Sequence, residues 1–442
     1  MPSRSSLLFI TPLMLSAGLY LFIAYGFPGR SQFGILLLGV TCLFILYIWA
    51  LRHASNLGAT ALIVAPVVLR LLFLLSIPEL SDDFYRFIWD GHVMHRNQNP
   101  YLVIPADWAG QLSDGATGML AHMNSPEYHT VYPPVCQFLF WLATAQSPDD
   151  VFSSMVWLRV LTVIAETGTM FLMVAILRYY KLPAGHMWFY GLNPLVVLEL
   201  TGNLHPDAFM IFFSVLFYYL WVSRKTWWSA GALGLAIGAK LLPLLILPFL
   251  FKHLGVKRFI SYALIVAIVF LGGFIPFLSL EVISGMMSSI HLYFRYFEFN
   301  ASVYYLIRET LSAFYGYNPI ALVGPMMAGI CVVLLFIRVV FTMQKSTRLS
   351  DDVVWAFFLY LLCALVVHPW YVTILAAFTV ISEKKFALVW TYLVFLSYHR
   401  YRTPGVDDSL LIIFLEYLLL AVAVWVELYR PHLFRRLFPS AV

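Results

Sequence analysis

Apolar residues run through this chain in blocks of about twenty, separated by short polar stretches, with none of the alternation of a half-buried strand. Blocks of that length match the hydrocarbon thickness of a bilayer crossed by a helix. The pattern predicts helical spans near 7–27, 33–51, 58–78, 152–178, 186–201, 206–222, 259–279, 319–341, 352–367, 370–382, 386–398 and 410–429. Two further stretches are ambiguous. The first, 131–145, is short and opens with Tyr132-Pro133-Pro134; the second, 227–251, contains Lys240, Pro243 and Pro248. Proline breaks helical hydrogen bonding, so the second could cross once or fold back as two half-helices.

Composition agrees with the pattern. Hydrophobic residues make up 62% of the 442 and charged residues 11%, with a mean hydropathy of +0.84. No soluble interior absorbs so many apolar blocks, so the expected class is an all-α polytopic membrane protein forming a single transmembrane domain over 1–442. Disorder, collagen, coiled coil and nucleic-acid binding are excluded. Four cysteines sit singly in apolar surroundings, as buried small hydrophobes do. The block at 7–25 is longer than a signal-peptide core and lacks a small-residue cleavage site, so it reads as an uncleaved first span.

The net charge of +5 becomes a question of topology. With the N-terminus cytoplasmic, 131–145 not crossing and 227–251 re-entrant, sixteen of the 27 Lys and Arg fall inside and seven outside. Full crossing by both stretches reduces the bias to twelve against eleven. The preferred arrangement therefore has about twelve spans and both termini cytoplasmic. It leaves two long segments on the outer face. The loop at 79–130 carries seven acids against two arginines, and the loop at 280–318 carries His291, Arg295, Glu298, Asn300 and Arg308 among aromatics. No internal repeat is evident, which counts against a transporter built from inverted repeats.

Candidate chemistry follows these loops. Asp82 and Asp83 are adjacent where the third span ends. Like charges near apolar surroundings raise a carboxyl pKa, and such a group can act as a general base. The pair could equally mark a helix start, since Asp is a good N-cap. His368-Pro369-Trp370-Tyr371 interrupts two apolar runs, where the imidazole could meet a lipid phosphate or bond to backbone. Asn203-Leu204-His205-Pro206-Asp207 lies between two spans and could be a capping turn. Lys240 is a costly charge in an apolar segment; it could neutralise a phosphate, snorkel, or pair with Glu199 or Glu166. Arg159 and Glu166, seven apart on one helix face, suggest a structural ion-pair cluster. No P-loop, dinucleotide fingerprint, serine-hydrolase elbow or haem motif is present.

Taken in order, SDDFYRFIWDG with NQNPY, VYPP, NPLVVLE with NLHPD, GAKLLPLLILP, FEFNASVYYLIR and HPWY resemble the GT-C superfamily of membrane glycosyltransferases. They are most similar to its polyprenyl-phosphate-mannose-dependent mannosyltransferases. The resemblance spans residues 81 to 371. It implies a GT-C-type bundle whose first outer loop, 79–130, is catalytic and carries short amphipathic helices. It implies an inverting transfer of one sugar, mannose by family likeness, from a polyprenyl-phosphate donor to a glycan or glycolipid hydroxyl on the outer face of the inner or plasma membrane. Asp82 or Asp83 would be the catalytic base, with Asp82 favoured as the first of the pair. Arg86, Lys240, His368 and Arg295 would hold the donor phosphate. His205, Asp207, Tyr132 and Tyr371 would contact substrate. No cofactor is implied; a divalent ion held by Asp82 and Asp83 together with a phosphate is the disfavoured alternative. A ligase or polymerase of lipid-linked glycans, and a lipid-linked-sugar flippase, are the competing functions.

Overall fold

The computed structural model describes residues 4–53, 58–111, 114–124, 126–282, 297–345, 347–402 and 409–438. Their regular structure is helical; the one β-like feature among them is an isolated bridge between Phe299 and Val366. The protein is an all-α polytopic membrane protein. By length and composition five helical stretches among the described residues are long and apolar enough to cross a bilayer: Phe33–Leu51, Val151–Tyr179, Leu242–Gly272, Ile320–Gln344 and Leu410–Tyr429, of which Leu242–Gly272 is broken at Gly255. A sixth candidate is the pair Pro194–Gly202 and Asp207–Val222, bent by 118° at the turn between them. Several other expected spans are short or broken. The 186–201 block is split at Pro194, where the Asn193 side chain accepts from the Leu195 amide, and it ends in a π-helical turn, Val197–Gly202.

Buried charges hold the central helices together. The Val151–Tyr179 helix starts on Asp150, whose carboxylate accepts from the Phe152 and Ser153 amides. Its Glu166 pairs with Arg70 of the Ala59–Leu71 helix at 2.7 Å, and both side chains are fully buried. The expected Arg159–Glu166 pairing does not form. Arg159 instead donates to the carbonyls of Thr201 (3.0 Å), Gly202 (3.1 Å) and Leu74 (3.2 Å), satisfying backbone that the π-turn leaves open.

The ambiguous segments resolve. Pro134–Thr144 is an eleven-residue helix, about 16 Å long and too short to cross. It lies against the Asp83–His95 helix, where Gly91 allows contact with Thr144 and the Phe140 carbonyl. The second segment folds back. Ser229 bonds Tyr262 at 3.0 Å and Gly234 packs on Val266 and Val269, so Thr226–Ala239 runs parallel to the later part of Phe251–Gly272. Parallel neighbours require the intervening chain to return. Lys240, in extended conformation, makes the first reversal, and Gly255 (φ 69°) makes the second. At the second, the rings of Phe251 and Phe259 approach to 5.3 Å, where a continuous helix would separate them by about 12 Å.

One end of the bundle gathers the 26–32 turn, the start of the Asp83–His95 helix, the 203–207 turn, Lys240, Phe299 and the 368–371 turn. The Asp207–Val222 helix leads about 24 Å away from it. There Trp221 meets His253 (5.9 Å), at the level of the Gly255 reversal. Outward faces of Phe251–Gly272, Ile320–Gln344 and Leu410–Tyr429 are exposed Leu, Ile, Val and Phe, as lipid contact demands.

Candidate active site

Asp83 opens its helix from the edge of the bundle. A helix does begin here, yet the Asp82 side chain makes no capping bond; the Ser81 hydroxyl accepts from the Asp83 amide at 3.3 Å. The two acids face different partners. Asp82 pairs with Arg30, whose guanidinium also lies 4.6 Å from the centre of the Tyr401 ring. Asp83 turns inward, accepting from Asn124 Nδ2 at 2.7 Å, with its other oxygen 4.0 Å from His205 Nδ1. Burial pushes the Asp83 carboxyl above the usual range. The Asn124 bond opposes that shift, neighbouring Asp82 reinforces it, and Arg30 and Lys240 oppose it.

His205 is presented by a strained turn. Leu204 sits at φ 63°, costly for a bulky residue, and the helix before it ends in the π-turn. The imidazole is stacked on Trp370 at 3.6 Å, and Trp370 on His368 at 4.3 Å. Phe299 continues the stack on His368 at 4.7 Å, fixed there by bonds from the Phe299 amide to Leu365 O (3.0 Å) and from the Val367 amide to Phe299 O (2.8 Å). This part of the second long loop is thereby docked on the 365–368 segment, and Phe297 meets Tyr128 of the first loop at 6.1 Å.

Lys240 pairs with neither Glu199 nor Glu166. Its ammonium donates to Asp207 Oδ1 at 2.7 Å and lies 3.8 Å from the centre of the Tyr371 ring. Tyr371 in turn meets His368 edge-on at 5.5 Å. Burial, followed by the nearby Lys240 charge, holds the His368 imidazole well below its ordinary pKa, so at neutral pH it is an uncharged donor or acceptor. Its Nδ1 is buried without a hydrogen-bond partner among the described residues.

Thus Asp82, Asp83, His205, Asp207, Lys240, His368 and Tyr371 converge. Tyr132 lies beside them, packed edge-on against Phe87 at 4.9 Å. Arg86 is committed elsewhere, with Nε 3.0 Å from Asp90 Oδ1 and Nη1 2.9 Å from the Tyr128 carbonyl. Arg295 lies outside the described residues. Among the described residues no group of three or more His, Cys, Asp or Glu is arranged to hold a metal ion. Sequence reading missed Arg30 and Asn124 as members of this cluster, and named Glu199 only as a possible partner of Lys240, whereas its Oε2 lies 3.5 Å from His205 Nε2. Arg30 occupies a short turn after Gly29 (φ 98°) and carries no motif signal of its own.

An acid with raised proton affinity, a nearby ammonium and an uncharged imidazole suit proton abstraction beside an anionic leaving group. Against known proteins, residues 12–255 match the model of the family described as alpha-(1->6)-mannopyranosyltransferase, N-terminal domain. The chain belongs to that family. It is 20% identical over 210 residues to alpha-(1->6)-mannopyranosyltransferase A of Corynebacterium glutamicum, covering 47% of this chain and 41% of the relative. It is 25% identical over 193 residues to the protein of the same name from Mycobacterium tuberculosis, covering 42% and 36%. The match therefore spans about two-fifths of the length of these curated relatives. The family segment contains Asp82, Asp83, His205, Asp207 and Lys240, and ends before His368 and Tyr371.

Proposed function

We propose that the protein is an inverting mannosyltransferase that moves one mannosyl group from a polyprenyl-phosphate donor to a glycan or glycolipid hydroxyl at the outer face of the membrane. Membership of the mannopyranosyltransferase family supports the sugar and the reaction class. The observation that carries the mechanism is the convergence of Asp83 with Lys240 and His368 at one end of the bundle.

Asp83, rather than Asp82, is the base. Its carboxylate faces inward, whereas Asp82 is neutralised by Arg30. The acceptor O–H bond breaks and its proton passes to Asp83. The acceptor oxygen bonds to the anomeric carbon, and the carbon–oxygen bond to phosphate breaks with its electron pair leaving on phosphate. Attack opposite the leaving group inverts the anomeric configuration. A phosphate ester is largely ionised at pH 7, so it needs a cation and donors more than a general acid. Lys240 supplies the charge and His368 a neutral ring nitrogen. Exposed apolar helix faces around the site would accommodate the polyprenyl tail.

The test is to incubate purified protein with radiolabelled polyprenyl-phosphate-mannose and glycolipid acceptors, and to read the anomeric configuration of the product by NMR. Transfer with inversion is expected. Retention of configuration, or no transfer to any acceptor hydroxyl, would overturn the proposal.

A further inference from the structure

Behind Asp83 lies a second carboxylate that the reaction above does not use. Glu199, on the π-turn, is fully buried. Its Oε1 accepts from the Tyr398 hydroxyl at 2.7 Å, and its Oε2 from Asn203 Nδ2 at 3.3 Å. Between the two acids stands His205, 1% exposed, with Nδ1 4.0 Å from Asp83 and Nε2 3.5 Å from Glu199 Oε2. Among the described residues neither ring nitrogen has a hydrogen-bond partner, a costly state for a buried imidazole. Each lies within about 1 Å of hydrogen-bonding range, and catalytic hydrogen bonds in empty sites are commonly long and tighten on binding. Trp370, stacked on the ring at 3.6 Å, restricts its tilting.

The surrounding charges are already matched. Arg30 is paired with Asp82, and Lys240 with Asp207. Tyr401 lies under Arg30, Tyr132 flanks Asp83, and Trp370 separates His368 from His205. The unmatched line through this cluster runs from Asp83 through His205 to Glu199.

We propose that His205 and Glu199 form a proton relay behind Asp83, so that both are positioning residues of the transfer reaction. The inference rests on Asp83 being the base. Asp83, having taken the acceptor proton, passes it to His205 Nδ1 while Nε2–H is given to the Glu199 carboxylate. The imidazole stays neutral and switches tautomer, and one proton moves inward from Asp83 to Glu199. His205 therefore serves the base and does not contact the sugar.

The experiment compares pH–rate profiles of wild type, Glu199→Gln, Glu199→Asp and Asp83→Asn in the mannosyl-transfer assay, each first matched to wild type by thermal melt. Glu199→Gln should lower kcat about tenfold or more with donor KM unchanged. It should also move the acid limb to lower pH, because a negative neighbour of Asp83 is gone. Glu199→Asp keeps the charge but withdraws it by one methylene, so kcat should fall with the limb in place. Wild-type kcat and an unmoved limb in Glu199→Gln would overturn the relay alone, as would a joint change of kcat and KM with no shift of the limb. Full activity in Asp83→Asn, or no transfer by the wild type, would overturn the base assignment and the relay with it.

Discussion

A carboxylate that must take a proton at neutral pH works best when its surroundings hold its own proton tightly, and burial does this for Asp83. Asp83→Asn should lower kcat by about 10²–10⁴-fold with gel-filtration behaviour unchanged. Asp82→Asn should cost less, since it loses an ion pair with Arg30 at the rim. Radiolabelled transfer by the two variants decides between them, and the reverse order would return the base to Asp82. The pH dependence follows with a definite sign. The base acts when ionised and its folded pKa is raised, so activity should fall away with acid above the ordinary aspartate value of about 3.9. An acid limb of kcat/KM at or below that value would contradict the burial argument. Much of this cluster was legible in sequence: adjacent acids, an intramembrane lysine and two histidine–proline turns are unusual enough to stand out. Arg30 was not, because an arginine in a short turn gives no sign that its partner lies 52 positions away. Arg86 shows the converse. Its charge suited a phosphate, but Asp90 one turn on had already engaged it.

Elements place these residues through close approaches that only small side chains permit. At Gly91 an added methyl would collide with Thr144 Oγ1 and the Phe140 carbonyl, and the backbone partner cannot rotate away. Gly91→Ala should destabilise the protein by about 1–3 kcal/mol, read as a lower melting temperature in detergent. Gly231, in the Thr226–Ala239 helix, has nothing within 4 Å of the same position. Gly231→Ala should stabilise by about 0.5–1 kcal/mol through helix propensity alone. Equal effects at the two sites would refute the packing account. Pro243 and Pro248 signalled that 227–251 departs from a regular helix, whereas the break at Pro194 falls in a block, 186–201, that reads as one span. Hydropathy left open whether 227–251 crosses or returns; Lys240 makes the first turn, and the second falls at Gly255 within the polar run 252–258 that follows the stretch.

At the scale of the molecule, the fold-back keeps Lys225 and Gly255 at one end and Lys240 at the other. Gln32 lies at the site end and is exposed, as is Lys225 at the far end. In sealed cells a membrane-impermeant maleimide should label Gln32→Cys directly and Lys225→Cys only after permeabilisation. Labelling of both from outside would refute the opposed ends, and labelling of Lys225→Cys alone would invert the orientation. Charge bias in the loops pointed to this arrangement. Partners within the bundle were harder to read, because helix periodicity relates neighbours on one helix and says nothing of which helices touch. The Arg70–Glu166 pair shows what that means for a chain made from its N-terminus. The two residues are 96 positions apart, on different helices, and wholly enclosed. At about 5–20 residues per second, Arg70 leaves the ribosome several seconds before its counter-ion has been synthesised. Arg70 sits in the last turn of the Ala59–Leu71 helix, and an arginine enclosed without a counter-ion is costly. Burial of Arg70 as seen in the folded protein is therefore complete only once the Val151–Tyr179 helix has joined it.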